Sequence, residues 1–135
     1  HYLRNRSPEK IRFNFKHTES EIVVPLNEAL FEWVIENICK NAMDAMDGKG
    51  EITIRLEDHT QFIYLDVIDT GKGISKSRFK TAFSPGYTTK KRGWGLGLSL
   101  SKRIIESYHE GKIFVLNSEL NVGTTIRIVL RKFVG

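Results

Sequence analysis

Phe62-Ile-Tyr-Leu-Asp-Val-Ile-Asp-Thr-Gly-Lys-Gly-Ile74 is the stretch that decides the fold of this 135-residue chain. Its first eight residues are nearly all apolar, and several are β-branched or aromatic, the pattern of a strand in the middle of a sheet. The run ends at Asp69, and the turn formers Thr70-Gly71-Lys72-Gly73 follow at once. An aspartate at the end of a buried strand is well placed to accept a hydrogen bond from a buried donor. Two glycines beyond it let the backbone come close to a flat ligand. Taken alone, Asp-Thr-Gly-Lys-Gly is also an ordinary turn.

Upstream of this stretch, Ile11-Arg-Phe-Asn-Phe15 alternates apolar and polar residues, and Ile22-Val-Val24 is a second short strand signal. Pro25 introduces a helical pattern that reaches about Met46 and is stopped by Asp47-Gly48. Residues 51–57 read as a strand. Downstream, residues 70–95 are rich in Gly, Ser, Thr and Lys, with a short helix expected over 75–82. Residues 96–108 read as a helix. Residues 112–117 and 124–130 read as a hairpin whose turn contains Asn121 and Gly123. Helices alternating with paired strands predict an α/β (α+β) domain, a two-layer sandwich with a mixed, mostly antiparallel sheet and helices on one face. Residues 1–10 have no clear period and read as a linker, which leaves 11–135 as the domain.

A composition of 40% hydrophobic and 27% charged residues is that of a soluble globular protein. No apolar run approaches the roughly 18 residues that span a bilayer, and no signal-peptide pattern opens the chain, so a cytoplasmic domain is expected. The single Cys39 excludes an internal disulfide. The net charge of +5 is spread along the chain, and its one dense run is Lys90-Lys91-Arg92. Beside glycines, that run suits a few phosphates better than a long polyanion. No basic surface interleaved with aromatics is evident, so nucleic acid is not an expected partner.

Three further features carry chemistry. In the long helix, Leu30, Val34, Ile38 and Ala45 share one face at 100° per residue, and Asn37 and Asn41 fall in its middle. Two readings stand for these amides: core asparagines that bond backbone groups, or one wall of a polar cavity offering oxygens to a hard cation or to phosphates. Gly93-Trp-Gly95-Leu96-Gly97-Leu98 places three glycines on alternate positions running into a helix, where unobstructed N–H groups make an anion site. It is not a Walker loop, since no Gly-Lys-Ser/Thr follows, nor a dinucleotide fingerprint. Gly123-Thr124-Thr125 opens an apolar strand and would pass elsewhere as a plain turn.

In this order and at this separation, the elements resemble the nucleotide-binding domain shared by histidine kinases, gyrase, MutL and heat-shock chaperones, a Bergerat-type fold. Asn37-Ile-Cys-Lys-Asn41-Ala is similar to the N box, Asp69-Thr-Gly71-Lys-Gly73 to the first glycine box, and Gly93-Trp-Gly95-Leu-Gly97 to the second. Phe83-Ser-Pro-Gly-Tyr87-Thr88-Thr89-Lys90 resembles the phenylalanine box of sensor kinases, and Gly123-Thr124-Thr125 the final Gly-Thr element. The resemblance runs from about Phe13 to Leu130.

The resemblance implies that Asp69 accepts from the amino group of adenine, with Gly71, Gly73 and Thr124 close by. Asn37 would give an oxygen to Mg²⁺, with Lys40 and Asn41 near the phosphates of ATP. Residues 83–95 would form a lid, with Thr88, Thr89, Lys90 and Gly93 on it. Gly95, Leu96 and Gly97 would adjoin the phosphates, and Ile74, Leu98 and Ile126 would wall the base. Where hydrolases of this group carry a glutamate that activates water, four residues before the second N-box asparagine, this chain has Asn37, which cannot act as a base. Glu36 is rotated about 100° away on the helix. Both this and the phenylalanine box favour a histidine kinase over a hydrolase. Two departures are Gly86, where many sensor kinases have an aromatic, and the bulky Trp94 between lid glycines.

The implied reaction is transfer of the γ-phosphoryl of Mg-ATP to a histidine on an upstream dimerisation helix, with a response-regulator receiver domain downstream and a homodimeric parent, anchored in the bacterial inner membrane. None of His1, His17, His59 and His109 has the helical context of a phosphoacceptor, so this chain is expected to bind ATP without phosphorylating itself. A related serine kinase acting on an anti-sigma partner, and a nucleotide-binding scaffold without catalysis, are the other readings.

Overall fold

The stretch Phe62–Asp69 forms β3. The computed structural model describes residues 11–16, 26–84 and 97–132. The strands among them are β1 (Ile11–Lys16), β2 (Gly50–Asp58), β3, β4 (Lys112–Glu119) and β5 (Gly123–Arg131), and they form a five-stranded sheet of order β1-β2-β3-β5-β4 with β3 in the middle. β1 runs parallel to β2, and every other pairing is antiparallel. The expected strand at Ile22–Val24 and the linker at 1–10 lie outside the described residues, as do Thr88, Thr89, Lys90, Gly93, Gly95 and Leu96.

Helix α1 spans Glu28–Ala45. It starts three residues after Pro25 because Asn27 is its N-cap, the Oδ1 accepting from Leu30 N at 3.1 Å, with Glu28 in the first turn where the helix dipole favours an acid. Asp47 (φ 55°) and Gly48 (φ 80°) then turn the chain through left-handed conformations that end it. The helix expected over 96–108 is α2 (Gly97–Arg103) followed by one π-helical turn, Ile104–Tyr108. Two short 3₁₀ turns, Lys76–Arg78 and Thr81–Phe83, replace the single helix expected over 75–82.

The helices cover one face of the sheet. Val34, Ile38, Cys39 and Ala42 of α1 and Ile104 and Ile105 of the π turn pack over Ile52, Val67 and Ile128. This buried stripe is centred between Ile38 and Ala42, whereas Leu30 and Ala45 are only half-buried. Asn37 and Asn41 therefore flank the stripe instead of lying in its middle. The sequence pattern sets the stripe about a fifth of a turn away from the buried one, because Cys39 and Met46 belong to the core and Leu30 does not.

The other face of the sheet holds the one residue of β3 that breaks its apolar run. Asp66 is fully buried between Arg55 and Arg127, its register partners on the two neighbouring strands. Arg127 donates through Nε and Nη2 to the two carboxylate oxygens, both at 2.8 Å, and Arg55 Nη2 donates at 2.9 Å. Burial alone would raise the pKa of Asp66, but these charged hydrogen bonds outweigh it and hold the carboxyl below its ordinary value. Arg127 also lies 4.4 Å from the centre of the Tyr64 ring, and Arg131 lies 5.8 Å from that of Phe62. Cations and aromatics thus do interleave on this face, contrary to the sequence reading, although Arg127 is committed to Asp66.

Candidate functional site

Beneath the N-terminal part of α2, a cavity of about 1200 Å³ opens between α1, the 69–75 loop and the helix-side face of the sheet. Its apolar floor is Val67, Val115 and Ile126, which are neighbours across β3, β5 and β4. Ile74 and Leu98 join this lining, as does the exposed Leu120 at the tip of the β4–β5 hairpin. The volume and mixed lining suit a ligand with one flat apolar part and one charged part.

At the end of the floor stands Asp69, in register with Thr124 and 9% exposed. Its Oδ1 accepts from Gly71 N at 2.8 Å and from Thr124 N at 3.3 Å. Oδ2 receives no hydrogen bond from the described residues. Burial outweighs the two backbone donors, so the pKa of Asp69 is raised. A carboxylate with one oxygen pinned and the other turned to a cavity is built to accept from an N–H group on a ligand.

The loop after Asp69 is held from both sides. Lys72 N donates to Ala45 O at 3.0 Å, at the end of α1, and Lys72 O accepts from Asn121 N at 2.8 Å, in the hairpin turn. Gly73 has φ 75°, and a Cβ there would strike the carbonyl oxygen of Glu119, so only glycine fits. Gly71 does not line the cavity and lies against Ala45 instead. Ser118 completes the clamp: its Oγ accepts from Ile74 N at 2.8 Å and meets Thr124 Oγ1 at 2.7 Å. Sequence reading passed over Ser118, whose only signal is that it faces Thr124 across the hairpin.

Along α1, Asn37, Lys40 and Asn41 all line the cavity, with Asp44 one turn further on. Asn37 Nδ2 donates to Ser101 Oγ at 3.1 Å, and Ser101 Oγ donates to Gly97 O at 2.9 Å. Gly97 does not itself line the cavity but seats Asn37: a Cβ on it would stand 2.8 Å from Asn37 Oδ1. Glu36 also borders the cavity, so its rotation around the helix does not carry it out of reach. Lining residues that the sequence did not single out include Val67, Val115, Met43, Asp44, Arg78 and Leu120.

The two histidines within the described residues have structural tasks. His109 Nε2 accepts from Asn27 N at 3.0 Å and its Nδ1 lies 3.1 Å from Ile104 O, tying the start of α1 to the π turn. His59 packs 4.1 Å from Tyr64 on the far face of the sheet. His1 and His17 lie outside the described residues. No helix among the described residues is long and apolar enough to cross a membrane.

Residues 27–133 match the family described as histidine kinase-, DNA gyrase B- and HSP90-like ATPase. Sensor histidine kinase YvrG of Bacillus subtilis is 36% identical over 137 residues, covering 97% of this chain and 23% of that protein. Sporulation kinase D of the same organism is 34% identical over 113 residues, covering 84% of this chain and 22% of its own length. The chain thus spans less than a quarter of these relatives. Among solved structures, the catalytic domain of histidine kinase ThkA superposes with a TM-score of 0.81 at 32% identity, over 91% of this chain and 80% of that domain. ThkA has also been solved in complex with the response regulator TrrA. The chain therefore belongs to the histidine kinase-, DNA gyrase B- and HSP90-like ATPase family, and its relatives there include sensor histidine kinases.

Proposed function

We propose that this chain binds Mg-ATP and is the catalytic domain of a two-component sensor kinase that phosphorylates a histidine on an upstream helix of its parent. The observation that carries the nucleotide site is Asp69, a buried carboxylate at the end of an apolar floor whose Oδ2 has no donor among the described residues. Adenine fits there: its amino group donates to Oδ2 while Val67, Ile126, Ile74 and Leu98 take its faces. The phosphates then extend toward Asn37, Lys40 and Asn41 of α1. Thr88, Thr89, Lys90, Gly93 and Gly95 belong to the lid in this assignment, with Gly95 and Gly97 giving backbone N–H groups to the phosphates.

The donor set fits Mg²⁺ brought in by the nucleotide. Among the described residues no group of three or more His, Cys, Asp or Glu can hold a metal by itself. Mg²⁺ prefers one or two protein oxygens alongside phosphates and water, and Asn37 Oδ1 supplies one. When bound, the ion offsets charge on the departing phosphoryl group. The chain's own task is positioning: Asp69 orients the base, and α1 and the first turn of α2 aim the phosphates. Asn37 itself cannot act as a base, but Glu36 borders the same cavity, so the preference for transfer to a histidine over hydrolysis rests on the likeness to sensor histidine kinases.

The parent's other partners follow from the same reading. A response regulator, the kind of protein that ThkA binds, would take the phosphoryl group on its receiver domain, the upstream helices would dimerise the parent, and the parent would be anchored in the inner membrane. Titration calorimetry of this chain with a non-hydrolysable ATP analogue, with and without Mg²⁺, tests the proposal. One-to-one binding that tightens with Mg²⁺ is expected, with no phosphohistidine formed on the isolated chain. Absence of binding by a folded sample sinks the nucleotide reading.

A further inference from the structure

Asn37 is useful to a cation only if its oxygen, not its NH₂, is turned to the ligand. The two ends of a carboxamide have almost the same shape, so something must choose between them. The choice is made by Ser101, which is fully buried on α2, 64 residues along the chain from Asn37.

A serine hydroxyl has one proton. Ser101 Oγ lies 2.9 Å from Gly97 O, a carbonyl that can only accept, so the proton goes there. Toward Asn37, at 3.1 Å, the hydroxyl has only lone pairs left, and Nδ2 must face it. Were the amide reversed, Oδ1 would meet an oxygen with no proton to give. Oδ1 is therefore held away from Ser101, and among the described residues nothing donates to it.

We propose that Ser101 is the positioning residue for Asn37: by spending its proton on Gly97 O, it fixes the amide so that Oδ1 is presented to the nucleotide-bound divalent cation. This rests on the Mg-ATP reading above. The bond to Gly97 O is a side-chain return to the carbonyl four residues back, at the first turn of α2. Gly97 is also the residue against which Asn37 is seated. Displacing the start of α2 thus disturbs the orienting bond and the seat together, so the cation's protein ligand follows the helix that closes the glycine-rich segment.

Two readouts on wild type, Ser101→Ala and Ser101→Thr test this. In nucleotide-free protein, NMR of the Asn37 side-chain amide should show one proton protected from exchange in wild type and Ser101→Thr, and lost in Ser101→Ala. In ADP titrations, the gain in affinity on adding Mg²⁺ should fall about three- to tenfold in Ser101→Ala, the scale of one hydrogen bond, while Mg²⁺-free affinity stays unchanged. Ser101→Thr, which keeps the hydroxyl, should restore the gain. An unaltered Asn37 amide in Ser101→Ala, or a loss of affinity equal with and without Mg²⁺, overturns the proposal. A chain that shows the amide signature yet binds no ADP would sink the nucleotide reading and leave the orientation standing.

Discussion

Asp66 and Asp69 stand three residues apart on one strand, and the fold treats them in opposite ways. An odd spacing puts them on opposite faces of the sheet. Both are buried, at 0% and 9% exposure, so both lose the water that would solvate a charge. Asp66 regains it from two guanidiniums, and its carboxyl is held below the ordinary pKa. Among the described residues Asp69 has only two backbone N–H groups, both on one oxygen, and its pKa is raised. A buried carboxylate that the protein neutralises is part of the scaffold. One that it leaves partly unmet is a place for a ligand, since the missing partner is then supplied by binding.

The largest effect should come from breaking the satisfied member. Asp66→Ala leaves Arg127 and Arg55 facing each other across an empty site, and removing one partner of a buried pair costs about 3–5 kcal/mol. The loss should fall toward about 3 kcal/mol here, because the Arg127 side chain keeps 16% of its exposure and can find water. Urea denaturation should show this loss, and the molecules that remain folded should bind nucleotide as before. Asp69→Asn should do the reverse. It removes a charge that the fold barely compensates, so stability should hold or rise, while the bond to adenine weakens by roughly 1.5–3 kcal/mol, about tenfold or more in affinity. If Asp69→Asn unfolds the chain and Asp66→Ala spares it, the contrast between the two has been drawn the wrong way round.

Only one of these two aspartates was legible in the sequence, for a physical reason. Asp69 is announced by its neighbours: a strand ends, and glycines follow within four residues. Asp66 is explained by Arg55 and Arg127, which come into line only through strand register, 11 and 61 residues away. In the linear sequence it was an interruption in an apolar run. Ser118 and Ser101 were missed likewise, since each matters through a partner on another element. Ile74, Leu98, Thr124 and Ile126 were reached only through the family resemblance, whereas local pattern did find the central position of β3 and the amides Asn37 and Asn41 that line the cavity. It phased the α1 stripe wrongly because Cys39 and Met46, which the count of apolar positions left out, are buried.

Acid should separate the pair without any mutation. Asp69 has a raised pKa in the folded chain, so as pH falls it takes up its proton before an ordinary aspartate does. Affinity for adenine nucleotide should therefore drop in mildly acid solution, and Asp69→Asn should abolish that part of the pH dependence. Its protonation does not harm the fold: a carboxyl whose folded pKa is raised favours the folded state at low pH and loses that contribution as pH rises through the folded value. Asp66 has the opposite sign. Its ion pairs stabilise the fold at every pH above the ordinary aspartate range and are lost only as pH falls through its depressed value. Binding should thus fail at a higher pH than folding. Calorimetric affinity and urea midpoints taken on the same buffers would show two separate transitions, and a single shared one would mean that the two carboxylates are coupled.

The smallest effect should sharpen what neutralises Asp66. Arg127 meets it edge-on through two hydrogen bonds, and its flat face lies 4.4 Å from the Tyr64 ring centre. The ring thus lies against the guanidinium and helps to hold it in the plane that the carboxylate needs. A cation over an aromatic face at a partly exposed site contributes about 0.5–1 kcal/mol. Tyr64→Leu keeps an apolar side chain on β3 and removes the ring, so stability should fall by about that amount in wild type. In an Asp66→Ala background the same substitution should cost less, because the guanidinium no longer has a carboxylate to be aimed at. A double-mutant cycle measures that difference directly. Equal costs in the two backgrounds would show that Tyr64 merely packs, and that Asp66 holds Arg127 by charge and hydrogen bonds alone.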